Sequence, residues 1–199
     1  MSEFDETIRI GGKSATIIRT PTNITTYIMN DVTGMLVGKR RPDPMTDYEN
    51  GFILPSDCGV VNGDLLLADS KYYLVMSLQA EKPFGELSFY RGMLYECNSL
   101  VSIYSYSTTT KKHSVLVKAD VSCLITQVRA QAMNDDKAMA IREYRGKIQP
   151  FQVFMQSSAG LTKDHIIVDQ NNRRFRVAKD FDPFITENIL QTQVLWEVL

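Results

Sequence analysis

Apolar and polar residues alternate along most of this chain in short runs, broken by Gly, Pro, Asn and Asp, which is the pattern of β-strands joined by turns. At the start, Thr7-Ile8-Arg9-Ile10, the pair Gly11-Gly12 and the run from Lys13 to Arg19 predict a hairpin, with the glycines supplying positive φ at its turn. From Pro21 to Pro55 turn formers and charges dominate, including Gly34, Gly38, Pro42, Pro44 and Gly51, and predict a loop longer than an ordinary connection. Three strands then follow at 64–68, 72–78 and 87–97, joined by turns at 69–71 and 83–85.

The same β-meander is written again about a hundred residues later. Strands are expected at 164–168, 173–179 and 189–198, with a turn at 170–172 and a longer break around Pro183. Asp64 and Asp69 match Asp164 and Asp169, Tyr73 and Val75 match Phe175 and Val177, and Leu94-Tyr95-Glu96 matches Leu195-Trp196-Glu197. Further upstream, Phe52 and Ser56 stand against Phe154 and Ser158. Between the copies, residues 99–118 carry alternating Val101, Ile103, Val115 and Val117 around the polar Thr108 to His113, as in a hairpin with a polar tip or a linker flanked by strands. One short helix is expected at 134–144, with Asn134 as cap, Asp135 and Asp136 at the positive end of the dipole, Arg142 and Arg145 at the other, and Gly146 as the stop. Imperfect alternation there keeps a strand as the second reading.

One meander buries one face and needs a partner layer. Two copies therefore predict a mainly β chain, forming either two small barrels or a sandwich, divided into units at 1–106 and 107–199. Size agrees: 199 residues at 44% hydrophobic and 23% charged can bury one core or two small ones. Twenty-two Lys and Arg nearly cancel 23 Asp and Glu, so no global field draws the chain to nucleic acid. Three cysteines (Cys58, Cys97, Cys123) without Cys-x-x-Cys spacing argue against a disulfide framework or zinc ribbon and for buried thiols in a reducing compartment. The acidic start Glu3-Phe4-Asp5-Glu6 lacks the form of a signal peptide, and no run approaches the ~18 apolar residues of a membrane span.

Chemistry is sparse in this pattern. Gly12-Lys13-Ser14 imitates the tail of a phosphate loop, but Thr7 stands where the loop requires its first glycine. His113 and His165, the two histidines of the chain, sit in no metal or nucleophile motif and read as surface or packing residues. Asp64 and Asp164, at the mouths of the repeated hairpins, are expected to accept backbone N–H bonds rather than to ionise a substrate. Arg173-Arg174-Phe175-Arg176 alone mixes basic and aromatic residues as a base-stacking surface would, and reads more simply as a core aromatic beneath exposed arginines. No cofactor or metal is expected. The densest basic cluster, Lys39-Arg40-Arg41, with Asp43 and Asp47 following, marks the long loop as the candidate docking or lumen element.

Ile18-Arg19-Thr20-Pro21, Gly63-Asp64-Leu65-Leu66, Tyr73-Leu74-Val75 and Leu94-Tyr95-Glu96-Cys97 together resemble the small β-rich head closure (stopper) and neck proteins of tailed bacteriophages. The likeness covers roughly residues 15–98 and reaches 120–199 only through the repeat. Two departures stand out: Lys163 replaces Gly63 in the second copy, and the chain is about twice as long as a one-barrel stopper. The resemblance implies a non-enzymatic ring of six or twelve copies in the virion neck, made in the host cytoplasm. It would be docked between a portal or adaptor protein and a tail terminator or tail tube protein, with genomic DNA passing non-specifically through its lumen and no membrane contact. Heterologous ring contacts need two complementary faces, which sheet edges and projecting loops supply. The alternative from another class is a monomeric β-barrel module that binds an oligonucleotide or oligosaccharide. An enzyme is the third reading, since sites assemble in space.

Overall fold

A computed structural model describes residues 3–19, 22–30, 49–82, 85–127, 148–178 and 182–197. The chain divides into two compact units, Met1–Cys97 and Asn98–Leu199. Each is a closed six-stranded β-barrel, and the protein is mainly β as its alternation predicts.

The first barrel consists of β1 (Lys13–Ile18), β2 (Ile24–Asn30), β3 (Glu49–Pro55), β4 (Leu65–Ala68), β5 (Lys71–Glu81) and β6 (Phe89–Glu96). They close in the antiparallel order β1-β2-β3-β6-β5-β4, with β4 returning to β1. Period-two alternation decides what fills it: Ala15 and Ile17, Ile28, Phe52 and Leu54, Leu66 and Ala68, and Leu94 point inward and pack into one core. The β4–β5 turn has positive φ at both Asp69 and Ser70, which matches the right-handed twist of a two-residue hairpin.

Two expectations for this half are corrected. Residues 7–10 form no strand, because Glu3–Gly11 is a helix, α1, whose Asp5 and Ile8 are buried. Thr7, Ile8 and Ile10 have the β-branching of a strand, but Glu3, Asp5 and Glu6 at the first turn and Arg9 at the last suit the helix dipole. The fully buried Asp5 carboxylate accepts the Ser56 backbone N–H (2.6 Å) and hydroxyl (2.8 Å), which ties α1 to the end of β3. Gly12 follows where a Cβ would lie 2.3 Å from the Ile8 carbonyl oxygen and 2.8 Å from that of Ile28, so no side chain fits there. The hairpin of β1 is made with β2 instead. Strands β2 and β3 both lie inside the span read as one long loop, where turn formers outweighed the short β-forming runs around Tyr27-Ile28 and Phe52-Ile53-Leu54. Residues 31–48, and with them Lys39, Arg40, Arg41, Asp43 and Asp47, lie outside the described residues, as does the expected helix at 134–144.

The second barrel consists of β7 (Ser99–Ser107), β8 (Lys112–Gln127), β9 (Ile148–Gln156), β10 (Ile166–Asp169), β11 (Arg174–Val177) and β13 (Ile189–Glu197), with β12 (Phe184–Thr186) appended to β13. Its ring runs β7-β8-β9-β13-β11-β10 and back to β7. Replacing each strand by its equivalent turns one barrel's order into the other's. The boundary falls at Cys97/Asn98 rather than after residue 106, because β7 pairs with β8 and β10 and so opens the second barrel. The hairpin with a polar tip across 99–118 is present as β7 and β8.

The repeat is therefore architectural, but several of its matched residues are out of register. Tyr73 and Phe175 are true equivalents, paired with Leu66 and Ile167, which pair in turn with Ile17 and Ile103. Leu94 faces Val75, whereas Val177 faces Val194 and not Leu195, so Leu195-Trp196-Glu197 sits one residue away from the match with Leu94-Tyr95-Glu96. In β10 the residue preceding the strand is His165, the counterpart of Asp64, which displaces Asp164 by one. Likewise the counterpart of Phe52 is Val153, since they oppose the equivalent positions Gly92 and Thr192. A one-residue slip moves every side chain to the other face, so identical letters one place apart do different jobs.

Candidate functional site: a histidine-lined cleft on the second barrel

Two of the four repeat aspartates, Asp64 and Asp169, are architectural groups, and the expectation that Asp164 accepts backbone N–H bonds is corrected, because His165 takes the position equivalent to Asp64. Asp64 is buried and receives Arg19 through Nε (3.0 Å to Oδ1) and Nη2 (2.5 Å to Oδ2), while the Val61 N–H donates to Oδ2 at 2.8 Å. Arg19 Nη2 also donates to the Gly59 carbonyl (2.8 Å), which staples the end of β1 to the segment before β4. The Asp64 partner keeps the Arg19 guanidinium protonated beyond its ordinary range. In the second barrel the buried acceptor is Asp169, which takes the N–H groups of Asn171 (2.9 Å) and Arg173 (2.8 Å) and Arg173 Nε (2.7 Å). Asp164 is exposed, and Asp69 pairs with Lys13 on the surface. Glu96 pairs with Lys71 at 2.8 Å. Phe175 lies fully in the core with Arg173 stacked on it (5.8 Å), so the Arg173–Arg176 segment presents no aromatic platform for a base.

Sequence reasoning set both histidines aside, yet the fold brings them to one place. An open cleft of about 710 Å³ is lined by Tyr106, His113, Lys163, Asp164, His165, Arg176 and Val177. Strand register assembles it. Tyr106 faces His113 across the β7–β8 hairpin, their rings edge to face at 5.3 Å. Pairing of Tyr104 with Ile166 then brings the segment before β10 alongside that hairpin. Alternation in β11 buries Phe175 and Val177 and turns Arg176 outward.

Both imidazoles are oriented by backbone. His113 Nε2 stands 3.2 Å from the Asp164 carbonyl oxygen, which can only accept, so that nitrogen carries the hydrogen. His165 Nδ1 accepts the Thr162 N–H at 3.2 Å, which leaves the hydrogen of the neutral ring on Nε2. Burial lowers the His165 pKa below its ordinary 6.5, against the opposing pull of the Asp164 carboxylate and the Gly160 backbone, with His113 lowering it further. The cleft is thus lined by the side chains of Lys163, Arg176 and Asp164 beside the imidazole of His165, which is neutral at pH 7. Among the described residues, no group of three or more His, Cys, Asp or Glu is placed to hold a metal ion.

His165 makes the stability of the second barrel depend on pH. Its folded pKa lies below its unfolded one, so the unfolded chain binds the proton more readily. Stability of the second barrel is therefore full above about pH 6.5 and falls as the pH drops towards the folded value, levelling off below it. Protonation also turns Nδ1 into a donor facing the Thr162 N–H. Urea midpoints followed by fluorescence of Trp196, the single tryptophan, should show this loss in the wild type and a smaller one in His165→Gln. Equal pH dependence in both would refute it.

The second barrel also carries apolar surface. Val115, Leu116 and Val117, at 49%, 52% and 45% exposure, are three consecutive residues of β8, so both faces of the hairpin arm are open at that level. Phe184 and Ile185 on β12 are 65% and 57% exposed, and among the described residues β12 pairs with β13 alone. No helix among the described residues is long and apolar enough to cross a membrane.

Searches against protein-family models, curated proteins and solved structures return no match to this chain.

Proposed function

We propose that this chain is a non-enzymatic virion protein of a tailed bacteriophage, a head closure or neck connector that forms a homo-oligomeric ring between portal or adaptor and tail. The observation that carries the reading is the pair of open apolar β-surfaces on the second barrel, the Val115–Val117 arm and the β12 edge. A monomer gains nothing from three successive exposed apolar residues or from an uncovered apolar edge strand, whereas two different sticky surfaces on one chain are what a heterologous, ring-closing contact uses. The stopper-like phrases of the first barrel, Gly63-Asp64-Leu65-Leu66 through Leu94-Tyr95-Glu96-Cys97, support the same reading. In this role Lys39, Arg40, Arg41, Asp43 and Asp47 belong to a docking or lumen loop, and near-neutral net charge lets DNA pass without being held.

Light scattering of the purified chain, alone and mixed with portal- or tail-bearing particles that lack it, tests the proposal. A mass of six or twelve chains, or a monomer that assembles on those particles, is expected, and Leu116→Asp should abolish the association. A monomer inert towards the particles would overturn the connector and favour the monomeric ligand-binding module, for which the histidine-lined cleft is the specific support.

A further inference from the structure

We propose that the cleft on the second barrel binds a nucleotide, its phosphate held by Lys163, Arg176 and the imidazole of His165, and its base against Tyr106. The chemistry of the walls selects this ligand class. Arg176 and Lys163 supply a guanidinium fork and an ammonium, the two groups that recognise phosphate oxygens, one by geometry and one by charge. His165 lines the same cleft, its ring held in place by the Thr162 N–H at Nδ1. Among the lining residues the one carboxylate is Asp164.

The apolar side of the cleft excludes a bare anion as the best occupant. Tyr106 is half exposed on the hairpin, held edge to face by His113, and Val177 contributes an aliphatic wall. A π-face beside cationic heads is the combination on which single-stranded or free nucleotides are held, because every base offers a face to stack and every nucleotide a phosphate. The volume of about 710 Å³ lies within the range of small-ligand sites, roughly 300–1,000 Å³, and so leaves room for one nucleotide unit. Base-paired stacks do not open their faces to a side chain, so the source is a free nucleotide or a unit of a single strand. The cleft lies within one barrel, and its occupancy does not depend on ring formation.

Two histidines in the whole chain make the site directly observable, since the imidazole nitrogen resonances number only those of His113 and His165. The full-length protein would be titrated at constant ionic strength with thymidine monophosphate, with a short oligothymidylate and with inorganic phosphate. Both histidine signals should shift saturably with thymidine monophosphate, and inorganic phosphate should bind at least about tenfold more weakly for want of a ring to stack. Lys163→Ala and Arg176→Ala should each weaken nucleotide binding by about tenfold or more, the worth of a charge-assisted hydrogen bond. Both side chains are exposed on the surface, and an unchanged Trp196 emission would confirm that the variants fold. Tighter binding of the oligothymidylate than of the mononucleotide would support a strand as the source, and equal binding would support a free nucleotide. Histidine signals that stay still, binding indifferent to both substitutions, or inorganic phosphate equal to the nucleotide would overturn the proposal.

Discussion

Replacing Phe175 with alanine is expected to lower the stability of the second barrel by about 3–5 kcal/mol, the cost of emptying a large aromatic site in a closed core. Phe175 has no exposed surface, and its ring meets Phe151 edge to face at 5.6 Å, while Phe151 in turn meets Trp196 at 6.3 Å. Its strand neighbours are Ile167 on one side and Trp196 on the other, both in strands that close the barrel, so the walls cannot collapse inward without breaking the ladder. A barrel has no free edge through which to relax, which places the cost high in the range. With a urea dependence of about 1–3 kcal/mol per molar, the transition followed by Trp196 fluorescence should move to lower urea by about 2 M. Trp196 stands in the second barrel, so this signal isolates that unit. A midpoint unchanged within error would mean that the ring does not fill the core as described.

The second large effect concerns the ionic staple of the first barrel. Asp64→Ala should cost about 2–4 kcal/mol, somewhat under the 3–5 of a fully buried pair because the Arg19 side chain is 31% exposed and water screens part of the loss. Arg19 Nε and the Val61 N–H lose their acceptor at once, and Arg19 Nη2 keeps only the Gly59 carbonyl. Asp64→Asn, which keeps the shape and one acceptor but removes the charge, should fall between wild type and alanine. Trp196 does not report on this unit, but Cys58 does. It is buried in the first core, and burial pushes its thiol pKa up. Thiolate is the reactive form, so the buried Cys58 should resist alkylation until the barrel opens. Asp64→Ala should bring Cys58 labelling, read by mass spectrometry, to markedly lower urea than in wild type, with Cys123 labelling in the other barrel unchanged. Loss of Asp69, whose pair with Lys13 is on the surface, should leave the labelling of Cys58 where it is.

Phe175 and the repeat aspartates differ in how far the sequence alone shows their roles. Phe175 could be placed from its letters, since it is flanked by arginines in an alternating run and matches Tyr73 in the other copy. The buried role of Asp169 could not, because the matched pair Asp69 and Asp169 turned out to be a surface ion pair in one barrel and a fully engaged turn acceptor in the other. Trp196 shows the same limit: a Leu-x-Glu phrase repeated in both copies suggested equivalence, and the strand ladder sets the two phrases one residue apart. The functional cleft was the least legible feature. His113 and His165 are 52 positions apart in the sequence, in segments with no motif between them, and only the pairing of β7 with both β8 and β10 makes them neighbours.

By itself the sequence determined what depends on nearest neighbours along the chain. Alternation of apolar and polar residues dictates strands, turn formers at 69–71 and 170–172 dictate hairpins, and the recurrence of both dictates a duplicated mainly β architecture. Tertiary structure decided the rest. It decided for two closed barrels over one sandwich, because closure depends on which distant edges meet, β1 with β4 and β7 with β10. It turned residues 3–11 into a helix, since Asp5 finds its partner in Ser56, just past β3, and Ile8 is buried, rather than either pairing in a strand beside them. It set the register, and register alone decides whether a residue such as Arg176 faces the core or the cleft, because side chains in a strand change face at every step and a long-range pairing is written in no single segment.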